Sequence, residues 1–219
     1  MPSYREMLDT AERWREFPAL ERVPGGVALT FDDGPDPEGT LAVLDALDAA
    51  GVQATFFLVG EQLMRHHAIA REAAQRGHEL ALHCFAHVRH AELRGRAAAE
   101  DIARALGTFE AAVGRRPRFY RPPYGMFNEA SYGACADLGV EPVYWSAWGL
   151  DWETLAADRI ADIVAPDLDD GAIVLLHDSA RYAPRESVQA TAEAILLIAE
   201  RAEAAGVRLG PLGELAPPG

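Results

Sequence analysis

From residue 27 onward, short runs rich in apolar and β-branched residues alternate with longer stretches whose apolar positions recur at helical spacing. The pattern predicts strands over 27–33, 54–59, 79–83, 118–121, 141–145, 172–176 and 207–209. Helices are predicted over 40–50, 61–76, 97–113, 128–138, 154–164 and 187–205. Seven strands alternating with six helices in this way imply an α/β chain with a parallel sheet and crossover helices. A closed (β/α) barrel and an open doubly wound sheet both fit, although no glycine-rich dinucleotide loop follows the first strand. In either architecture, chemistry collects at the carboxyl ends of the strands. Ahead of this pattern, Tyr4, Met7, Leu8, Ala11 and Trp14 recur at helical spacing and predict a short amphipathic helix packed on the body. The chain therefore divides into an N-terminal extension over 1–24 and one domain over 25–219.

Composition narrows the function. An apolar share of 49% is enough for one real core, and the net charge of −14 argues against nucleic acid or an anionic membrane surface as the main partner. The longest apolar runs, at 172–176 and 194–199, are far short of the ~20 residues of a membrane span. The first twenty residues carry Arg5, Glu6, Asp9, Glu12, Arg13, Arg15 and Glu16 where an export signal would be apolar, so the expected location is cytoplasmic. The chain has no lysine, which excludes Schiff-base and pyridoxal-phosphate chemistry and a Walker-type phosphate loop. Cys84 and Cys135 are too few for a disulfide framework and read as buried thiols.

The polar residues at the predicted strand ends are Asp32 and Asp33, His83 and His87, Arg121 before Pro122-Pro123-Tyr124, Asp151-Trp152, and His177-Asp178. Two adjacent carboxylates closing a strand repel each other, so something must compensate them. His83 and His87 stand four residues apart, which on one helical turn puts both imidazoles on one side, a spacing suited to a divalent metal. With one aspartate from another strand end they form a set that suits Zn²⁺ or another first-row divalent ion with positions left open. By contrast, His66-His67 reads as a solvated helix face.

Together the stretches Thr30-Phe31-Asp32-Asp33-Gly34-Pro35, His83-Cys84-Phe85-Ala86-His87, Arg121-Pro122-Pro123-Tyr124-Gly125, Asp151-Trp152 and Leu175-Leu176-His177 resemble, in order, the five motifs of the polysaccharide deacetylases, the NodB-homology family 4 carbohydrate esterases. The resemblance spans about residues 26–210 and implies a distorted, seven-stranded (β/α) barrel. It implies one divalent metal, Zn²⁺ before Co²⁺, Ni²⁺ or Fe²⁺, held by Asp33, His83 and His87. It makes Asp32 the general base toward the attacking water, with Arg121 holding that base ionised and aimed. His177 would protonate the leaving amine, with its pKa raised by Asp151, and the backbone N–H of Tyr124 would receive the oxyanion. Trp152 and Leu175 would line the acetyl pocket, and the substrate would be an N-acetylated amino sugar.

Other positions have plainer readings. Asp178 is expected to make a structural hydrogen bond, Trp145 and Trp148 to sit in the core, and His90 to lie on the surface outside the ligand set. One departure from the family stands out: the residue after its first metal histidine is usually serine or threonine, and here it is Cys84, a weak donor. The competing functions are hydrolysis of another C–N bond, of the ureide or cyclic imide type, and carbohydrate binding without catalysis. Both leave the complete base, acid and ligand set unexplained.

Overall fold

A computed structural model describes residues 16–169 and 171–218. The helix expected over 4–14 lies outside the described residues. The chain enters the fold by Leu20, which bridges Val143, and Arg22, which bridges Ala172. No helix of the described residues is long and apolar enough to cross a membrane.

The strands are β1 (Val27–Asp32), β2 (Thr55–Val59), β3 (Glu79–Cys84), β4 (Phe119–Tyr120), β5 (Glu141–Pro142), β6 (Ala147–Trp148), β7 (Ile173–His177) and β8 (Leu209–Gly210). They hydrogen-bond in the spatial order β5-β4-β3-β2-β1-β7-β6, and β8 pairs with the first two residues of β1. All these pairings are parallel. Crossovers run through α1 (Gly39–Ala50), α2 (Gly60–Gln75), α3 (Ala97–Val113), α4 (Glu129–Leu138), α5 (Ala157–Val164) and α6 (Gln189–Ala204). A short α7 (Leu212–Leu215) follows β8.

Of the run 141–145, expected as one strand, only Glu141–Pro142 forms β5; residues 143–146 cross from it to β6. Glu141 and Val143 donate to Arg118 and Tyr120 carbonyls on the β4 side, both at 2.8 Å, whereas Ser146 donates to Ile173 of β7 at 3.0 Å. The β-branched and aromatic residues that signalled a strand serve here as contacts for a chain that leaves one edge of the sheet for the other. This crossing gives the seven-stranded path its curled, distorted-barrel form, and the open doubly wound alternative falls away.

The strand period of two sorts side chains between two cores. Val27, Leu29 and Phe31 of β1, Phe56 and Leu58 of β2, Leu80 and Leu82 of β3, and Val174 and Leu176 of β7 face the helices. The alternate residues Ala28, Phe57, Ala81, Ile173 and Leu175 face inward, where they meet Phe119, Trp145 and Trp148. The inner core accounts for Trp145 and Trp148 as core residues, and it places the polar strand ends above it.

Local signals start and stop the helices. Asn128 accepts from the Ser131 amide at 2.8 Å while Ser131 Oγ accepts from the Asn128 amide at 2.9 Å, a capping box for α4, and Gly139 closes that helix in the left-handed conformation. The Asn128 side-chain Nδ2 also donates to the carbonyls of His90 and Leu93, tying the loop after β3 to this cap. Replacing Asn128 by Ala should lower unfolding free energy by about 2 kcal/mol, since both the cap and the loop tie are lost. Asn128→Asp should recover roughly half, because it restores only the acceptor. Chemical denaturation of the three proteins measures both steps.

Candidate active site

The inward parity of the strands carries past the inner core to the site. Continuing Ala28, Thr30 brings Asp32 inward; continuing Ala81 brings His83; continuing Leu175 brings His177. In register, Asp32 stands beside His177 on β7 and Phe57 on β2. Arg121 follows β4 with the same parity as Phe119 and is fully buried. Its guanidinium donates to Asp32 Oδ1 at 2.7 Å, to Thr30 Oγ1 at 3.0 Å and to the Tyr144 carbonyl at 2.9 Å, with its plane 4.1 Å from the centre of the Phe57 ring. A charge with no access to water is tolerable only in such a saturated setting, and here it fixes the Asp32 carboxylate in place.

The adjacent acid has other partners. Asp33 adopts φ of 86°, a left-handed conformation costly for a residue with a Cβ, which swings its carboxylate toward the loop after β3. Gly34 follows because a Cβ there would lie 2.1 Å from Asp178 Oδ2. Asp178 accepts from the Gly34 amide at 2.9 Å and from Thr40 Oγ1 at 2.5 Å, which is the structural role expected of it. Burial, offset in part by the Thr40 hydrogen bond and reinforced by the nearby charge of Asp33, pushes the Asp178 carboxyl up to about 7.

Asp33, His83 and His87 bring one ligand atom each within 4.8 Å of one another. The two histidines do not share a helical turn: His83 closes β3 and His87 lies in the irregular loop beyond it. The convergence expected from helical spacing arises instead from the bend at Phe85-Ala86. His83 donates from Nδ1 to the Arg121 carbonyl at 2.8 Å, which leaves Nε2 as a lone pair. Burial, opposed by the charges of Asp32 and Asp33, lowers the His83 pKa to about 4, so the ring is neutral at pH 7. Burial raises the Asp33 carboxyl, but the His87 ring at 3.2 Å and the charges of His177, His87 and His83 more than reverse this, to about 2. Asp33 Oδ1 and His87 Nδ1 are buried with no hydrogen bond of good geometry. An anionic carboxylate beside the free Nε2 lone pair of His83 is the kind of donor set a divalent cation takes.

Opposite the ligand cluster, His177 Nδ1 lies 2.8 Å from Asp151 Oδ1, and the His177 amide donates to Asp151 Oδ2 at 2.9 Å. Burial works against the imidazolium, but the charge and hydrogen bond of Asp151, with smaller contributions from Asp33 and Asp32, raise His177 to about 9. Trp152 meets the His177 ring edge-on at 5.6 Å, and Leu175 lies one strand period below, so both flank the same spot. Tyr124 takes φ of 59° and is 43% exposed, its ring beneath the Arg89 guanidinium at 4.2 Å.

His90 is not on the surface. It is fully buried, 3.0 Å from the Tyr120 hydroxyl and 3.3 Å from Asp101. Asp101, on α3, accepts the amides of Phe85 and Ala86 at 2.8 and 2.9 Å, so this group holds the loop between the two histidines from beneath. Cys84 is fully buried and stands outside the ligand cluster, its thiol pushed well up by burial. Sequence reasoning also passed over Tyr182, whose ring stacks on His87 at 4.2 Å, and Arg185 and Thr191, which contact Asp151. None stands at a strand end or in a recurring pattern. A local signal existed only for Asp101, an acid on a helix immediately downstream of the histidine loop.

Comparison with known proteins follows the same lines. The polysaccharide deacetylase family model matches residues 21–143. A peptidoglycan-N-acetylglucosamine deacetylase of Bacillus cereus is 33% identical over 177 residues, 80% of this chain and 81% of that protein. A chitooligosaccharide deacetylase of Bradyrhizobium is 35% identical over 166 residues, 75% of each chain. Among solved structures, the Bc1960 peptidoglycan N-acetylglucosamine deacetylase superposes with a TM-score of 0.83 at 27% identity, covering 99% of this chain and 97% of that one. On sequence, extent and fold alike, the chain belongs to the polysaccharide deacetylase family.

Proposed function

We propose that this protein hydrolyses the N-acetyl amide of an N-acetylated amino sugar within an oligosaccharide or glycan chain, as its peptidoglycan and chitooligosaccharide deacetylase relatives are named for doing. The observation that carries the reading is the placing of two proton-transfer groups, each with its own partner, beside one ligand cluster: Asp32 held by Arg121, and His177 held by Asp151.

Asp33, His83 and His87 would hold one divalent ion, with zinc favoured by a set of two imidazoles and one carboxylate that leaves positions open. When bound, that ion supplies Lewis acidity, lowering the pKa of the attacking water and polarising the acetyl carbonyl. Asp32 accepts the water's proton; Arg121 holds its Oδ1, which leaves Oδ2, 3.9 Å from His83 Nε2, facing the ligand cluster. The Tyr124 backbone N–H donates to the oxygen that becomes negative as the carbonyl turns tetrahedral. His177, with Nδ1 occupied by Asp151, presents Nε2 to the leaving nitrogen and gives it a proton, so that the free amine departs. Trp152 and Leu175, which belong to the inner core beside His177, would face the acetyl methyl.

Acetate release from N-acetylglucosamine oligomers, measured alongside metal content, tests the assignment. Asp32→Asn should cut turnover by about 10³-fold or more while the bound metal stays near wild-type, whereas His83→Ala should lose the metal itself. Wild-type turnover in the Asn variant would remove Asp32 from the role of base.

The pH profile gives a second test. The acid must be protonated, so activity is retained below the His177 pKa and lost as pH rises through it, in a window set by a pKa raised to about 9. Asp151→Asn removes the charge that raises it. The alkaline limb of kcat should then move to lower pH by about 1–2 units, with kcat itself reduced.

A further inference from the structure

Asp151 has more partners than its pairing with His177 requires. Its Oδ2 accepts from the His177 amide at 2.9 Å, from Thr191 Oγ1 at 2.9 Å and from Arg185 Nη1 at 3.2 Å. The same Arg185 nitrogen donates to the Asp151 carbonyl and to Thr191 Oγ1, while Nη2 reaches the carbonyls of His177 at 3.0 Å and Ser179 at 3.2 Å. Arg185 is 7% exposed, and Asp151 and Thr191 are fully buried. Desolvating a guanidinium is costly, and a surface arginine would serve the loop after β7 equally well if the loop alone needed support. Nor does Asp151 need a second cation for neutrality, because His177 already supplies one when protonated. The added cation and hydroxyl instead remove rotational freedom. With Oδ1 committed to His177 Nδ1 and Oδ2 saturated from three sides, the carboxylate cannot turn, and the imidazole it holds can point Nε2 in only one direction.

We propose that Arg185, together with Thr191, is a positioning residue for the proton transfer. It clamps the Asp151 carboxylate and the His177 backbone into a single rigid unit, bringing the β6–α5 loop, the end of β7 and the start of α6 to one point. This rests on the reading of His177 as the acid. The planar fork matters, since a single guanidinium reaches five acceptors on four residues, which no ammonium group does.

A leaving group that needs no proton separates positioning from general support. An amide of a sugar amine requires the acid, whereas nitrophenyl acetate expels a stable phenolate without it. Arg185→Gln and Thr191→Val should lower kcat on a tetramer of N-acetylglucosamine by about 10²-fold and about tenfold, with KM and metal content nearly unchanged and with a far smaller loss on nitrophenyl acetate. Arg185→Lys should recover only part of the amide activity. Equal losses on the two substrates, or undiminished amide turnover in Thr191→Val, which is nearly isosteric and spares the buried guanidinium, would overturn the proposal. Asp151→Asn and His177→Ala run beside them distinguish the failures. If those two also lose both activities equally, the acid assignment itself is wrong; if they lose the amide selectively while Arg185 and Thr191 variants do not, only the clamp is.

Discussion

The pairing of Arg121 with Asp32 is the contact on which the site and much of the barrel depend. The guanidinium binds Asp32 and Thr30 at the end of β1 and the Tyr144 carbonyl on the crossing segment, while the Arg121 carbonyl receives His83 Nδ1 and its amide donates to Leu82 of β3. One residue therefore aims the base, fixes the tautomer of a ligand histidine and joins three pieces of chain around the mouth. A buried arginine of this kind cannot be replaced piecemeal, because deleting it strands a carboxylate away from water. Its place after β4 is set by strand parity, and Pro122-Pro123 then turns the chain away.

Four aspartates are buried at the carboxyl ends of the strands, and each is compensated differently. Asp32 has a guanidinium, Asp33 faces the imidazoles of His83 and His87, Asp151 shares an imidazole and a second guanidinium, and Asp178 has an amide and a hydroxyl with no counter-charge. The directions of their pKa values follow: Asp33 and Asp151 are lowered, while Asp178 is raised. Like charges can crowd into one mouth because their compensators come from separate strands and do not compete. The puzzle of two adjacent acids resolves in the same way, since the positive φ at Asp33 sends the second carboxylate toward different partners from the first.

The loop between His83 and His87 shows how a family motif is supported when one of its parts changes. With Cys84 buried and a poor donor, the loop amides are held by Asp101, which is backed by His90 and Tyr120. His87 has Tyr182 stacked against one face, and the Tyr182 hydroxyl is hydrogen-bonded to Gln62 on α2 at 3.1 Å. A carboxylate from α3 and a ring from the loop after β7 thus carry the loop.

The sequence by itself determined the strand and helix succession, the parallel sheet it implies, and the residue types at the strand ends, because period-two and helical spacings and turn residues are local properties. It also carried Asp32, Asp33, His83, His87, Arg121, Asp151 and His177 as candidates, since chemistry at the carboxyl ends of parallel strands follows from topology alone. Only the tertiary structure decided that 143–146 crosses between sheet edges, that His83 and His87 converge through a bend, that His90 is internal, and that Arg185 and Thr191 reach Asp151. Each of these depends on contacts between segments distant in the chain. Hydrogen bonds across 34 and 40 residues leave no periodicity to read, and burial of a polar residue such as His90 is set by what folds over it.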